Sequence, residues 1–504
     1  MAVMVVAEAS AILKHNVMHN EKVFTPNWMV KIMLNKLQYF GNGILQKHII
    51  DNSCGKGAFL TEIVDRYCKA FLEVYGTKNN LSLKQELETY IHGIEIDETC
   101  WGLTIVNLNR VGLKYDLENV DWDIKNGDAL EIDEYNGKMD YVVGNPPYCN
   151  VHDFGDKYDT IKKFSFAQGG MADLYLVFFE IGINMLNDAG KLIYITPSSW
   201  TASIAGKPFR RHLIENDILS EVITLGHERV FPNVTTFTIV TLIDKTKKDI
   251  KEDYNKVTLY KYNPNNVDID YIATRPLSTF IVGDMFCFED DSETLNLLKE
   301  IERHEYEDVI KVKNGFATLN DKLFIIDENI LETDPRFTSK DFIMCYKAST
   351  GERKWAIFPY DLQNNLKPFK FEELSEYAQE HLLKRAKQLH LEENGKMKGE
   401  WWLYGRTQAI NDITEFRLSI NNLIRTKEDI KLRYVLNGIG VYSGFYILPN
   451  SSEMAYNITD WLRTDKFEHY VKALGRYKNG GYYAFTAKEL QNFLNYQIKN
   501  FDKN

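Results

Sequence analysis

Through the first half of the chain, short apolar runs alternate with stretches whose apolar residues return every three or four positions. "HIIDNSC" (48–54), "IHGIEID" (91–97), "MDYVVGNPPY" (139–148), "KLIYITPSSW" (191–200) and "EVITLG" (221–226) punctuate helical patterns such as "AFLTEIVDRYCKAFLEVY" (58–75). Such alternation predicts parallel strands joined by covering helices, an α/β doubly wound sheet. In that architecture ligands bind in the loops beyond the carboxyl ends of the strands. From about residue 245 the rhythm fades into the charged run "DKTKKDIKEDYNK" (244–256). This predicts a boundary at 245–265, with one domain over 1–265 and an α+β domain over 266–504.

Length and composition are compatible with two filled cores. The 504 residues are 44% hydrophobic and 13% aromatic, with no apolar run long enough to span a bilayer, so a cytoplasmic protein without a membrane partner is expected. Its six cysteines show no ligand-like spacing, which predicts free thiols and no metal site. The net charge of −11 speaks against a polyanion partner only on average. Residues 401–504 carry 14 basic against 10 acidic side chains and are the one net-positive stretch.

The candidate chemistry lies at the predicted strand ends. "DNSCGKGAFL" (51–60) puts Gly55 and Gly57 in a strand-to-helix turn, where backbone can approach a ligand closely. No Lys-Ser/Thr pair closes it, so it is not a phosphate loop; a tight turn without ligand is the alternative. "GIEID" (93–97) ends in carboxylates, and Glu95 suits a ribose diol. "NGDALE" (126–131) offers Asp128 to a ring amino group, or simply makes a surface turn. Asn145, Pro146, Pro147 and Tyr148 then set an amide and a phenol on a stiff turn after an apolar strand.

In this order, "VFTP" (23–26), "DNSCGKGAF", "GIEID", "GDAL" and "NPPY" resemble the motifs of the gamma-class N6-adenine DNA methyltransferases of restriction-modification systems. "DLYLVFFE", "LIYITPSSW" and "RVFPNVTTFTIV" are similar to later motifs of that family, so the resemblance covers about 17–245; Asn52 stands where the family often has proline. The resemblance implies a Rossmann-like catalytic domain using S-adenosyl-L-methionine. Thr25 would contact the methionine carboxylate, and Asp51 with the loop of Ser53, Cys54, Gly55 and Gly57 would hold the amino-acid portion. Glu95 would take the ribose hydroxyls, Ile96 would lie on the adenine and Asp128 would meet its amino group.

It also implies that the target adenine is flipped out of the duplex, at a cost of a few kcal/mol. The Asn145 oxygen and Pro146 carbonyl would accept the two N6 protons, and Tyr148 would stack on the base, a contact of about 1–3 kcal/mol. Phe231 of "RVFP" resembles the family's second stacking face; a core phenylalanine is its alternative. His15, His19 and His152 have no role in this chemistry.

Residues 266–504 resemble the family's target-recognition regions more loosely, through "NGFATLNDKLFII", "WWLYGR" and "GGYYAFTAKEL". Arg406, Arg476 and Lys478 are interleaved with aromatics, as in a surface that positions phosphates, or as rim charges around an aromatic core. The expected partner is double-stranded DNA, with a separate cognate restriction endonuclease as an optional companion. RNA or protein-glutamine methylation at an Asn-Pro-Pro-Tyr site and non-catalytic DNA binding are the alternative functions.

Overall fold

The computed structural model describes residues 25–501 apart from 77–79, 150–157, 171, 229, 232–236, 248–254, 290, 303–308, 327–339, 390, 392–398 and 408. His15, His19, His152 and the first two residues of "VFTP" lie outside the described residues. The chain divides into two compact units, 1–295 and 296–504.

The first unit is built on a nine-stranded sheet. Its strands are β1 (Ile49–Asp51), β2 (Ile91–Glu95), β3 (Asp123–Asn126), β4 (Met139–Gly144), β5 (Leu186–Pro197), β6 (Leu219–Thr224), β7 (Thr238–Asp244), β8 (Lys256–Asn263) and β9 (Asp268–Pro276). They are ordered β3-β2-β1-β4-β5-β7-β6-β8-β9. From β3 to β5 all pairings are parallel, whereas β7 runs antiparallel to both β5 and β6. Every residue of β1, β2 and β7 is buried, as expected of strands covered on both faces.

The chain leaves β1 outward to β2 and β3, then returns to the other side of β1 for β4. Loops leaving β1 and β4 therefore diverge, opening a crevice at their carboxyl ends. Two helices line the way from β1 to β2. The longer, Ala58–Tyr75, buries Phe59, Leu60, Ile63, Val64, Tyr67 and Phe71 on one face. It ends at Gly76, whose positive φ of 73° turns the chain while its N–H bonds Leu72 O at 2.9 Å. The shorter is Asn80–Tyr90, and between β2 and β3 the helix Glu98–Gly112 starts where Asp97 accepts a bond from Cys100 N–H at 2.7 Å.

The expected boundary at 265/266 falls inside a hairpin. β8 and β9 pair antiparallel through Asn263↔Asp268, and β8 joins β6, so both strands extend the first sheet. The first unit consequently runs about thirty residues further than the sequence suggested. The charged run precedes a strand that still buries Val257 and Leu259 on alternate positions, a pattern too short to stand out beside it.

In the second unit, one four-stranded sheet holds Lys311–Asn314, Phe445–Leu448, Arg417–Ile420 and Leu432–Val435. Another holds Ile325–Ile326, Glu352–Ile357, Phe342–Lys347 and Gly440–Tyr442. The helices Ser452–Leu462, Asp465–Ala473 and Ala487–Phe501 follow. The six cysteines are free. Among the described residues no helix is long and apolar enough to cross a membrane, and no group of three His, Cys, Asp or Glu residues is placed to hold a metal ion.

Candidate active site

Asp51, the Ser53–Gly57 loop, Glu95, Ile96, Asp128 and the 145–148 turn lie at or just after the ends of β1, β2, β3 and β4. Asp51 closes β1, buried, and its Oδ1 accepts the Ser53 N–H at 3.1 Å. Burial pushes its carboxyl up to about 8, against the Ser53 hydrogen bond and with the Glu95 charge adding to the rise. Beside it stands Gly144, the last residue of β4, with φ at 156°. A Cβ there would lie 3.0 Å from Asp51 Oδ1 and 3.5 Å from Ser53 Oγ, so only glycine lets the two strand ends approach.

The glycine turn is tied to β2. Gly55 N–H donates to Glu95 Oε2 at 2.8 Å, while Glu95 Oε1 accepts Asp97 N–H at 2.9 Å. Thr104 Oγ1 donates to the Gly55 carbonyl at 2.8 Å, and Cys54 N–H to the Ile94 carbonyl at 2.9 Å. Burial raises the Cys54 thiol's pKa well above its ordinary value, so this thiol is a packing group and not a nucleophile. Gly57, with φ at 79°, heads the following helix, and a Cβ on it would meet Thr104 at 3.1 Å. Asn52, where the family often has proline, is buried and accepts the Tyr194 hydroxyl at 2.8 Å.

Beyond β2, Ile96 is 63% exposed, an apolar side chain left in the open directly after a buried strand. The end of β3 is held to it, since Asn126 Nδ2 and Gly127 N–H both donate to the Glu95 carbonyl, at 2.9 and 3.1 Å. Asp128 is half-buried and accepts Leu130 N–H at 3.0 Å, shaping its own turn. Thr25 is buried just ahead of the helix Asn27–Lys36.

At the end of β4 the Tyr148 hydroxyl donates to Asn145 Oδ1 at 2.5 Å, with the Ile195 carbonyl 3.2 Å away. The Tyr148 ring meets Tyr175 and Phe231 edge-on, at centroid separations of 6.5 and 6.4 Å. Phe231 is buried in the core, so in this state it backs the Tyr148 ring and offers no open face. The continuation of the turn is held by Asp173, which sequence reasoning passed over. Its Oδ1 accepts Cys149 N–H at 3.0 Å, and burial raises its carboxyl to about 6. The acidic residue opening "DLYLVFFE" was the available signal for this role.

A nucleoside carrying an amino-acid tail fits these groups. The Ser53 Oγ is buried with no hydrogen-bond partner, Asp51 is a buried carboxyl next to it, Glu95 lies one strand over, and Ile96 offers an apolar surface beyond. A cation beside Asp51, a diol beside Glu95 and a flat ring on Ile96 would meet those needs in sequence.

The three charged candidates of the second unit differ in their surroundings. Arg406 and Lys478 are exposed, Arg406 bridging its backbone to Ala317. Arg476 is engaged internally, its Nε and a terminal nitrogen 2.9 and 2.7 Å from Oε1 of the buried Glu489. Sequence reasoning also missed a cluster around Tyr346. The Arg353 and Arg433 guanidiniums lie 5.6 and 5.8 Å from that ring, and Lys431 Nζ donates to Ser349 O at 3.3 Å. These residues come from segments about eighty apart, so no local run of charge marked them.

Residues 27–231 match the family described as Eco57I restriction-modification methylase, which bears out the resemblance carried by the motifs. The chain is similar to the Type II restriction enzyme and methyltransferase RM.Eco57I of Escherichia coli. The two are 26% identical across 77% of this chain and 48% of that protein. It is also 24% identical to the Type II methyltransferase M.BstVI of Geobacillus stearothermophilus, across 73% and 72% of the two chains. The chain thus spans about half the length of the first relative. In fold it is similar to the Type IIL restriction-modification enzyme MmeI, solved in complex with DNA, with a TM-score of 0.58 at 14% identity over 92% of this chain and 64% of that one. The Type ISP enzyme LlaBIII gives 0.54 at 13% identity, over 84% and 33%.

Proposed function

We propose that this protein is a site-specific DNA adenine N6-methyltransferase of a restriction-modification system, using S-adenosyl-L-methionine. The observation that carries the reading is the pairing of an Asn145-Pro146-Pro147-Tyr148 turn at the end of β4 with Asp51, Glu95 and Asp128 at or just after the ends of β1, β2 and β3. The donor supplies an electrophilic methyl group on a sulfonium. Asp51 and the Ser53–Gly57 loop hold its amino-acid end, Thr25 its carboxylate, Glu95 its ribose and Ile96 with Asp128 its base.

The reactive nitrogen is the harder problem, because the N6 lone pair of adenine is delocalised into the ring. Asn145 Oδ1 and the Pro146 carbonyl accept the two N6 protons, which favours a pyramidal nitrogen with its lone pair free to attack. Pro146 and Pro147 stiffen the turn, so these acceptors need little reorganisation. Tyr148 stacks on the extruded base, and Phe231 forms the opposite wall once the base displaces its present packing. The second unit reads and positions the duplex, with Arg406 and Lys478 on phosphates. Support for DNA over RNA or protein comes from the relatives' names and from the size of the second unit.

Incubation with methyl-labelled donor and duplex DNA, RNA or glutamine-containing peptides tests the reading. Label recovered as N6-methyladenine from DNA is the expected result. Label in RNA, in peptide, or as N4-methylcytosine would overturn it.

A further inference from the structure

The 145–148 turn leaves one strand and does not run into another. Upstream it is fixed by the sheet, because the ladder between β4 and β5 continues to Gly144↔Tyr194. Downstream, the residue after Tyr148 is held by a partner 24 positions further along the chain. Cys149 N–H donates to Asp173 Oδ1 at 3.0 Å, and the Cys149 carbonyl accepts Leu174 N–H at 2.8 Å. Backbone donor and acceptor of one residue are thus both engaged by the start of the helix Leu174–Met185. The next residue of that helix, Tyr175, is buried, sets its ring edge-on to Tyr148 at 6.5 Å and pairs its hydroxyl with Ser199 Oγ at 3.0 Å.

We infer that Asp173 is a positioning residue for methyl transfer, clamping the backbone after Tyr148 so that the 145–148 turn is fixed at both ends. The inference rests on the functional reading above, in which Asn145 Oδ1 and the Pro146 carbonyl must converge on one nitrogen. Two prolines stiffen the inside of the turn, but they do not set where its far end lies. Loosening that end lets the turn shift about Gly144, and a displacement of about 1 Å at the acceptors can cost about a hundredfold in rate. Asp173 opposes the shift with a strong bond. Burial raises its carboxyl only to about 6, so at neutral pH it accepts the Cys149 N–H as an anion, a stronger bond than a neutral acceptor makes. The clamp acts on the turn that meets the target base, whereas the proposed donor side is shaped by the bond between Gly55 and Glu95.

The Leu174 bond is made by backbone, so a substitution at 173 removes one strand of the clamp and keeps the other. Asp173→Ala should lower the single-turnover rate by roughly tenfold to a hundredfold and leave donor affinity unchanged. Asp173→Asn keeps an oxygen where the Cys149 N–H needs one. It should stay within about fivefold of wild type, the difference between a charge-assisted and a neutral bond.

The measurement is single-turnover methylation, at saturating donor, of a duplex that the wild type modifies, beside calorimetric titration of donor into the same full-length proteins. Wild-type formation of N6-methyladenine is the control. If it fails, the functional reading falls before Asp173 is tested. A loss of about tenfold or more in the Ala variant, recovered in the Asn variant and without change in donor affinity, supports the assignment. A smaller loss in Ala, or a fall in donor affinity that matches the fall in rate, overturns it. So does an Asn variant as slow as Ala, since charge and not placement would then be what matters. Should the Ala variant fail to fold, Asp173→Asn is compared with Asp173→Glu, which keeps the charge but carries its oxygens one methylene further. Asn faster than Glu supports the clamp, and Glu equal to or faster than Asn overturns it.

Discussion

Glu95 closes the loop of Gly55 from the neighbouring strand, carboxylate to backbone N–H at 2.8 Å, so one side chain both shapes the glycine turn and faces the proposed ribose position. Glu95→Ala leaves the N–H groups of Gly55 and Asp97 without this acceptor. Stability should fall by about 1–3 kcal/mol, and donor affinity measured by calorimetry should fall more than tenfold. Unchanged affinity would remove Glu95 from the binding site.

Asp51 carries a pH signature. Its folded-state pKa, near 8, exceeds the ordinary carboxyl value, so the folded protein holds a proton that the unfolded chain releases above about 4. Folding stability contributed by this group is therefore intact below about pH 4 and is lost as pH rises to about 8. Asp51→Asn, which stays neutral, should raise the melting temperature of the donor-free protein at pH 8 by several degrees and change little at pH 4, while weakening donor binding. An equal shift at both pH values would show that Asp51 is not a buried, protonated acid.

Asn145→Ala should nearly abolish methyl transfer and leave donor affinity within about twofold, because the residue meets the base and not the cofactor. A loss of a hundredfold or more in single-turnover rate is expected, in line with removal of one preorganised hydrogen-bonding group. Near-wild-type turnover would contradict the proposed mechanism.

The three basic residues of the second unit should separate. Arg476→Ala removes the cation beside the buried Glu489 carboxylate, which keeps its hydrogen bond from the Thr486 N–H, and should lower stability by about 1–3 kcal/mol, read by denaturant titration. Arg406→Glu with Lys478→Glu should leave stability nearly unchanged, weaken DNA binding across sequences and flatten its salt dependence. An unaltered salt slope would make those two residues plain solvated charges.

Much of the site was legible because its chemistry is local. Each motif is a strand end plus a turn, and period-two or continuous apolar runs announce where strands stop. Asp51, Glu95, Asp128 and Asn145 could therefore be ordered on successive strands from the chain alone, and the glycine turn could be placed before its helix. The bond between Gly55 and Glu95, by contrast, spans forty residues and depends on β1 and β2 being neighbours.

What tertiary structure alone decided are properties set by packing between distant segments. Burial beside Gly144 makes Asp51 a weak acid, and the overrun of β5 beyond β4 gives Tyr148 its second acceptor. Glu489 engages Arg476, a candidate phosphate contact, in an ion pair thirteen residues along the chain. The edge of the first unit moved from 265 to 295 for the same reason, since β8 buries only two residues and β9 none, and their membership in a sheet depends on which strand lies beside them. Sequence determines the order in which groups reach the strand ends; only the folded sheet determines which of them touch, and how much water each one keeps.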